Sequence, residues 1–467
     1  MMFLAVLFTL GMMLWLVPLA RRGRTLWLAL AVLGLGTVFG PNFFSIEGPI
    51  QISADRLLFA ATLCIIVFGL IRGTSHPTPR LHRLDWIVVI MVLWFGWSAF
   101  RGGSEPPGTP PMARWLFYIA MPGGMYLIAR VSRFERTDMR PLLVAATGLG
   151  LYLAITAVLE IKGLHGFVFP RYITNAEVWE FLGRGRGPLM NPSGNGFVIA
   201  IGLTAASIGW VRLPRRKRIP ASIILLILLA GLYATLTRSA WLGGAAAVAI
   251  VAMFHSPRWL RVIGLACCVL LVGLATTSLK DEILRLKRDK NLSAADAEKS
   301  VKLRPLLAII AWEMFLDEPM VGHGYGHYLA KHRPYHQVRG YDMPLEQARP
   351  YAQHNVFLSV LVDTGLIGGS MFLAWFLSTA AIAIKLSMDR RSDADRRAVG
   401  LLMLGSMLAY FCNGMFQDVM IIPMVHMFIF FQSGLTVRVA VEGWSSSHTP
   451  HSRPVERRAA GLAPSQS

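Results

Sequence analysis

A chain of 467 residues that is 54% apolar and only 15% charged is too hydrophobic for a water-soluble domain of that size, so its expected solvent is the bilayer. The net charge of +20 sits largely in short connections between apolar runs, where basic residues set orientation, and nucleic acid is not an expected partner. Cys64, Cys267, Cys268 and Cys412 all fall in apolar runs without metal-ligand spacing, which suggests neither a disulfide framework nor a zinc site.

Apolar runs near 3–20, 25–40, 57–71, 84–100, 115–129, 141–159, 195–211, 220–237, 239–254, 262–278, 364–386, 398–416 and 419–437 are the candidate spans. They predict an all-α polytopic membrane protein with about 12–13 transmembrane helices and one large extracytoplasmic loop carrying short helices. The first run lacks the basic start and small-residue cleavage site of a secretory signal and is read as a retained span. Arginine and lysine gather at 21–24, 72–83, 130–140, 212–218, 258–261, 385–397 and after 438, and the positive-inside rule assigns those connections to the cytoplasm. The expected organisation is 1–160 as N-terminal helices, 161–278 as helices bearing arginine motifs, and 279–353 as the extracytoplasmic loop. Residues 354–440 follow as C-terminal helices opened by a histidine, and 441–467 as a disordered cytoplasmic tail rich in Ser, Pro, Arg and Ala.

Two arginine clusters face outward on this reading. Arg184 and Arg186 stand among four glycines in Leu182-Gly-Arg-Gly-Arg-Gly-Pro-Leu-Met-Asn-Pro-Ser-Gly-Asn195, ahead of the seventh run. Guanidiniums beside accessible backbone N–H groups at a helix start suit phosphate, and pyrophosphate more so, although such loops also serve only to turn the chain. Arg238 sits in Thr235-Leu-Thr-Arg-Ser-Ala-Trp241 with no room for a loop between the flanking apolar runs, which predicts a hairpin with the guanidinium at its tip. An arginine at the bilayer centre costs roughly 2.5–3.5 kcal/mol even on a lenient scale, so a shallow position or an anionic partner is required.

Within 279–353, Ser293-Ala-Ala-Asp296 resembles a capping box, and a second, strongly apolar helix is predicted from Pro305 to Asp317, lying against the membrane surface or the bundle. Gly322-His-Gly-Tyr-Gly326 follows as a turn that either admits a ligand to the backbone or merely closes the helix. His354-Asn355 then opens the eleventh run. Helical spacing places His354, Leu358, Leu361 and Gly365 on one face, with the imidazole where water meets membrane. A histidine that simply ends a helix is the plainer alternative. A base and several cations on one side suit a reaction whose leaving group is a lipid diphosphate. The outer loops show no acidic cluster with metal-site spacing, so neither metal nor cofactor is expected.

These segments resemble the O-antigen ligase family, which includes related polysaccharide polymerases and protein O-oligosaccharyltransferases. His354-Asn355, nine residues and Gly365 resemble its H-[N/S/Q]-x9-G pattern. Thr235-Leu-Thr-Arg-Ser resembles its arginine-bearing T/S-x-S-R stretch, with Thr237 in place of serine. Arg184-Gly-Arg-Gly-Pro-Leu-Met-Asn-Pro resembles an R-x-x-G-x-x-x-N-P segment, with Ser193 where asparagine is common. The resemblance covers about 180–370. It implies a bacterial cytoplasmic (inner) membrane enzyme that transfers a glycan from undecaprenyl diphosphate to an acceptor hydroxyl on the outer face, with inversion. In ligases proper the acceptor is a lipid A-core sugar; in polymerases it is another repeat unit. By the same resemblance His354 is the base and Arg238 with Arg184 hold the diphosphate. Arg186, Arg304, Asn355, Gly322 and Gly324 are further substrate contacts. A carrier or flippase of the same lipid diphosphate is the rival from another class.

Overall fold

In the computed structural model of the chain, the described residues are 25–40, 43, 45–46, 51–72, 80–103, 108–178, 180–257, 259, 261–263, 294–338, 340–341, 343–349, 351–389, 391 and 393–444. The predicted spans 3–20 and 262–278, Ser293 and the tail beyond Trp444 lie largely or wholly outside them.

The chain forms α1 (Thr25–Val38), a two-stranded antiparallel pair pairing Ser45 with Ser53 and Ile46 with Ile52, α2 (Ala54–Arg72) and α3 (Arg83–Arg101). Next comes α4, built from Pro111–Trp115, a π-helical turn Leu116–Ala120 and Met121–Val131, then α5 (Met139–Ile161). The middle holds α6 (Pro192–Arg212), α7 (Arg215–Ala234) and α8 (Arg238–His255). The last third holds α9 (Ala294–Asp317), a short α10 (Tyr328–Lys331), α11 (Val356–Met388), α12 (Ala394–Gly414) and α13 (Pro423–Glu442). The other predicted apolar runs all fall on helices. Eight helices among the described residues are long and apolar enough to cross a membrane, which makes this an all-α, multi-pass membrane protein.

The bundle closes through small residues. A Cβ on Gly202 of α6 would lie 2.8 Å from the Gly150 Cα of α5, one on Gly231 of α7 2.2 Å from Ala154, and one on Gly243 of α8 3.0 Å from the Ala409 Cα of α12. Close backbone approach of this kind drives helix association where lipid removes the usual hydrophobic gain. α6 and α13 are the most enclosed helices, whereas Trp86, Leu93, Leu226 and Leu377 are exposed on outer faces and suit contact with acyl chains.

The two ends of the bundle differ. At one end buried Arg130 of α4 pairs with Asp85 at 2.8 Å and Glu442 at 3.3 Å, while Arg212 and Arg136 share Asp395 at 2.7 and 2.9 Å. These are the basic connections that the charge rule places inside. The opposite end gathers the starts of α6, α8 and α11 with the finish of α12.

α11 carries the main departure from expectation. At 33 residues and 1.5 Å per residue it would run about 50 Å, more than a bilayer core of about 30 Å. It is broken at Gly365, where φ is 64° and ψ −168°. The turn after α9 plugs the break: His323 N–H donates to Val362 O at 2.8 Å, Gly324 N–H to Asp363 O at 2.9 Å, and Leu366 N–H to Pro319 O at 2.8 Å. Gly322 (φ 69°) and Gly365 meet backbone to backbone, so a Cβ on Gly322 would lie 2.5 Å from the Gly365 nitrogen. The expected shared face of His354, Leu358, Leu361 and Gly365 is therefore corrected. His354 precedes the helix, and Gly365 is its breakpoint.

Candidate active site

Both motif asparagines are helix caps. Asn191 Oδ1 accepts from Ser193 and Gly194 N–H at 2.9 and 3.2 Å, and Asn355 Oδ1 accepts from Phe357 and Leu358 N–H at 2.9 and 3.1 Å. Such a cap contributes about 1 kcal/mol, and its removal frays the turn beside the site. Asn355 Nδ2 also donates to Met415 O at 3.2 Å, tying the start of α11 to the residue that follows α12. The structure thus gives Asn355 a positioning role and leaves the neighbouring imidazole out of the cap.

His354 is exposed, and among the described residues no hydrogen bond is recorded for its ring. It lines a cavity of about 250 Å³ with Arg304, Gln353, Asn355, Leu358, Met415 and Phe416. Arg304 comes from α9, which does not begin at Pro305 as predicted. The helix passes straight through that proline, held by Leu303, Leu306, Leu307, Ile310 and Met314 packed with Leu345, Ala348 and Val362. The Arg304 guanidinium stands 5.4 Å from the Phe416 ring centre, a cation–π contact that fixes it at the cavity wall. Partial desolvation, and after it the positive charge of Arg304, hold His354 below the ordinary imidazole pKa. A neutral, unbridged imidazole is a ring ready to take a proton.

The predicted hairpin is present: α7 ends at Ala234, α8 starts at Arg238, and Leu236 in the turn has φ 49°. Arg184 grips that turn, its Nη2 donating to Thr237 Oγ1 at 2.5 Å and Leu236 O at 3.2 Å, while Gly185 N–H donates to Ala234 O at 2.9 Å. Ser239, next to Arg238, donates to Asn413 Oδ1 at 3.1 Å, two residues before Met415 of the His354 cavity. The end of α12 therefore joins the arginine hairpin to the histidine cavity. Arg184 and Arg238 share one turn, Arg304 and His354 share one cavity, and both lie at the same end of the bundle.

Arg186 belongs elsewhere. It is 0% exposed, and all five of its N–H donors reach backbone carbonyls: Ile173 twice, at 3.0 and 2.7 Å, Asn175 at 3.0 Å, Glu180 at 2.7 Å, and Val178. Glu160 accepts the Arg186 and Gly187 backbone N–H groups at 3.2 and 3.0 Å. A guanidinium so committed has no donor left for a phosphate, and its work is to fold the 171–180 loop. Gly322 and Gly324 likewise serve the junction with α11 and are not positioned in the histidine cavity. We expect Arg186→Lys to lower stability by about 2–4 kcal/mol, because lysine cannot reach carbonyls on several sides and leaves some unpaired. Thermal unfolding in detergent checks this; an unchanged melting point would make the loop clamp unimportant.

Sequence reasoning missed a second polar cavity beside the first, containing Arg114, Asp363 and Asp418. The signal was there: a carboxylate within or beside an apolar run is costly in a membrane protein and needs a partner or a purpose.

Comparison with known proteins follows the same geography. A family model described as O-antigen ligase matches residues 223–373. A curated relative, the MFS-type transporter gkaD of Penicillium citrinum, is 30% identical over 111 residues, covering 18% of this chain and 19% of its own length. The chain thus spans less than a fifth of that relative, too little to carry an argument about either fold or transport. Residues 223–373 contain Arg238, Arg304, the glycine turn and His354, so over that third of the chain this multi-pass membrane protein is similar to the O-antigen ligase family, and the Arg184 segment lies outside the match.

Proposed function

We propose that the protein transfers a glycan from undecaprenyl diphosphate to an acceptor hydroxyl on the outer face of the bacterial cytoplasmic membrane. The coarser assignment, a glycosyltransferase of ligase or polymerase type, is supported by the family-model match over 223–373. The observation that carries the finer one is the meeting of an unbridged imidazole with Arg304 in one cavity, joined through α12 to the hairpin of Arg184 and Arg238. In the proposed step the acceptor O–H gives its proton to His354 while its oxygen forms the new bond to the anomeric carbon. The anomeric C–O bond to phosphate breaks, and undecaprenyl diphosphate leaves with the electron pair. Arg238, presented at the start of α8 where the first-turn N–H groups also favour an anion, takes up charge growing on the diphosphate. Arg184 holds the turn that presents it. Attack opposite the leaving group inverts the anomeric centre. The outer-face location rests on the charge rule, which puts the Arg130 and Asp395 end inside.

The test is reconstitution of purified protein with lipid diphosphate-linked glycan and either a lipid A-core acceptor or a second donor molecule. Product masses read ligase from polymerase. Donor binding without any transfer to hydroxyls would turn the reading into that of a carrier.

A further inference from the structure

Beside the histidine cavity, three buried polar atoms lack the partners their burial demands. Among the described residues, Tyr328 Oη, Gln353 Oε1 and Asp363 Oδ1 accept or donate no hydrogen bond. Their residues are 4%, 3% and 5% exposed. An unpaired buried group costs about 1–3 kcal/mol, and folded proteins satisfy nearly all of them. All three belong to the wall of a single cavity of about 330 Å³, which also holds Arg114, Tyr118 and Asp418. Gln353 lines this cavity and the one containing His354, so the two adjoin.

The wall chemistry decides among possible occupants. One guanidinium faces two carboxylates, Asp363 and Asp418, so a diphosphate would meet like charge. An isoprenoid chain would leave the three orphan atoms unpaired. A sugar ring fits. Its hydroxyls donate to Asp363 Oδ1 and Gln353 Oε1 and accept from Tyr328 Oη, while tyrosine rings offer flat apolar surface to its C–H face. The volume lies at the lower end of the roughly 300–1,000 Å³ typical of ligand pockets, which suits one or two pyranose rings. We infer that the cavity bounded by Arg114, Tyr328, Gln353, Asp363 and Asp418 is a glycan subsite that holds a sugar next to the reacting centre, an inference that rests on the proposed glycosyl transfer. Gln353 then stands on the partition between the bound sugar and the base.

The test measures binding, apart from turnover. Purified protein in detergent is titrated by calorimetry with farnesyl diphosphate, which carries no sugar. It is titrated separately with the oligosaccharides released from the host's own lipid-linked glycan and from its surface glycolipid. Tyr328→Phe should weaken one of the two oligosaccharides about threefold to tenfold, the worth of one neutral hydrogen bond, and leave farnesyl diphosphate affinity unchanged. Its melting point should hold or rise, since an unpaired buried hydroxyl is removed. Gln353→Leu should act in the same direction. Asp363→Asn should weaken the same oligosaccharide tenfold or more, a loss interpreted only if its unfolding matches wild type, because Asp363 Oδ2 also accepts from Gly326 N–H at 2.9 Å. Loss confined to the lipid-linked oligosaccharide assigns the cavity to the donor sugar, and loss confined to the surface oligosaccharide assigns it to the acceptor.

Unchanged glycan affinity in both Tyr328→Phe and Gln353→Leu overturns the subsite and leaves a water-filled cavity. So does competition by sugar-free farnesyl diphosphate. A wild-type protein that transfers glycan but shows no effect of these variants loses the subsite and keeps the proposed function. One that binds glycan here and transfers nothing keeps the subsite and loses the function.

Discussion

His354→Ala should cut glycan transfer by about 10²- to 10⁴-fold, the usual worth of a positioned general base, while the protein still inserts, purifies and melts as wild type does. Stability should hold because the ring caps nothing: Asn355 supplies the cap of α11. A structural histidine would give the reverse pattern, with the melting point falling as far as the rate. The pH dependence sharpens the test. The proposed transfer requires the neutral imidazole, so on that proposal the rate should fall as pH drops through the His354 pKa. Desolvation and Arg304 both disfavour the charged ring and place that acidic limb below 6.5, the ordinary value. Removing the Arg304 charge, as in Arg304→Gln, should therefore move the limb to higher pH. If kcat/KM of His354→Ala equals that of wild type, or if the limb stays put in Arg304→Gln, the imidazole is not the base in this environment.

Much of this arrangement could be read from the chain because bilayer physics leaves few choices. Apolar runs located the described spans, and two such runs separated only by Arg238 had to form a hairpin. The α9 boundary was not readable. Pro305 looks like a helix start because the first turn does not need its N–H, yet the packing of Leu303, Leu306 and Leu307 carries the helix through it. Arg184 and Arg186 were equally hard to separate. They sit two residues apart in the same glycine-rich setting, and only the fold shows one gripping the hairpin and the other wrapped in carbonyls. The glycine turn invited a ligand role because positive φ leaves backbone accessible. Its partner is the break in α11, and nothing local in the sequence announces a contact between residues so far apart. The spacing from His354 to Gly365 thus has a physical meaning that helical periodicity did not give: it sets the length of helix between the His354 cavity and the place where the loop plugs in.

Arg238→Ala should cost about 10²- to 10³-fold in kcat, comparable to losing one preorganised donor to a developing anion, with a smaller change in donor affinity. The asymmetry follows from where charge appears. In the proposed reaction the bound donor already carries its diphosphate charges, and bond cleavage would add another, which the guanidinium at the start of α8 would meet as it forms. Arg238→Lys should recover only part of the rate, since the ammonium keeps the charge and loses the planar fork. Arg184 supplies the contrast. It donates to Leu236 O and Thr237 Oγ1, so Arg184→Ala loosens the turn and should also slow transfer, through the position of Arg238. The two losses should not add: once Arg238 is gone, releasing the turn has little left to misplace, and Arg184→Ala with Arg238→Ala should be scarcely slower than Arg238→Ala alone. Full additivity would make Arg184 an independent phosphate ligand. Wild-type turnover by Arg238→Ala would remove the diphosphate from this hairpin altogether and leave Arg304, beside the base, as the cation that must neutralise it.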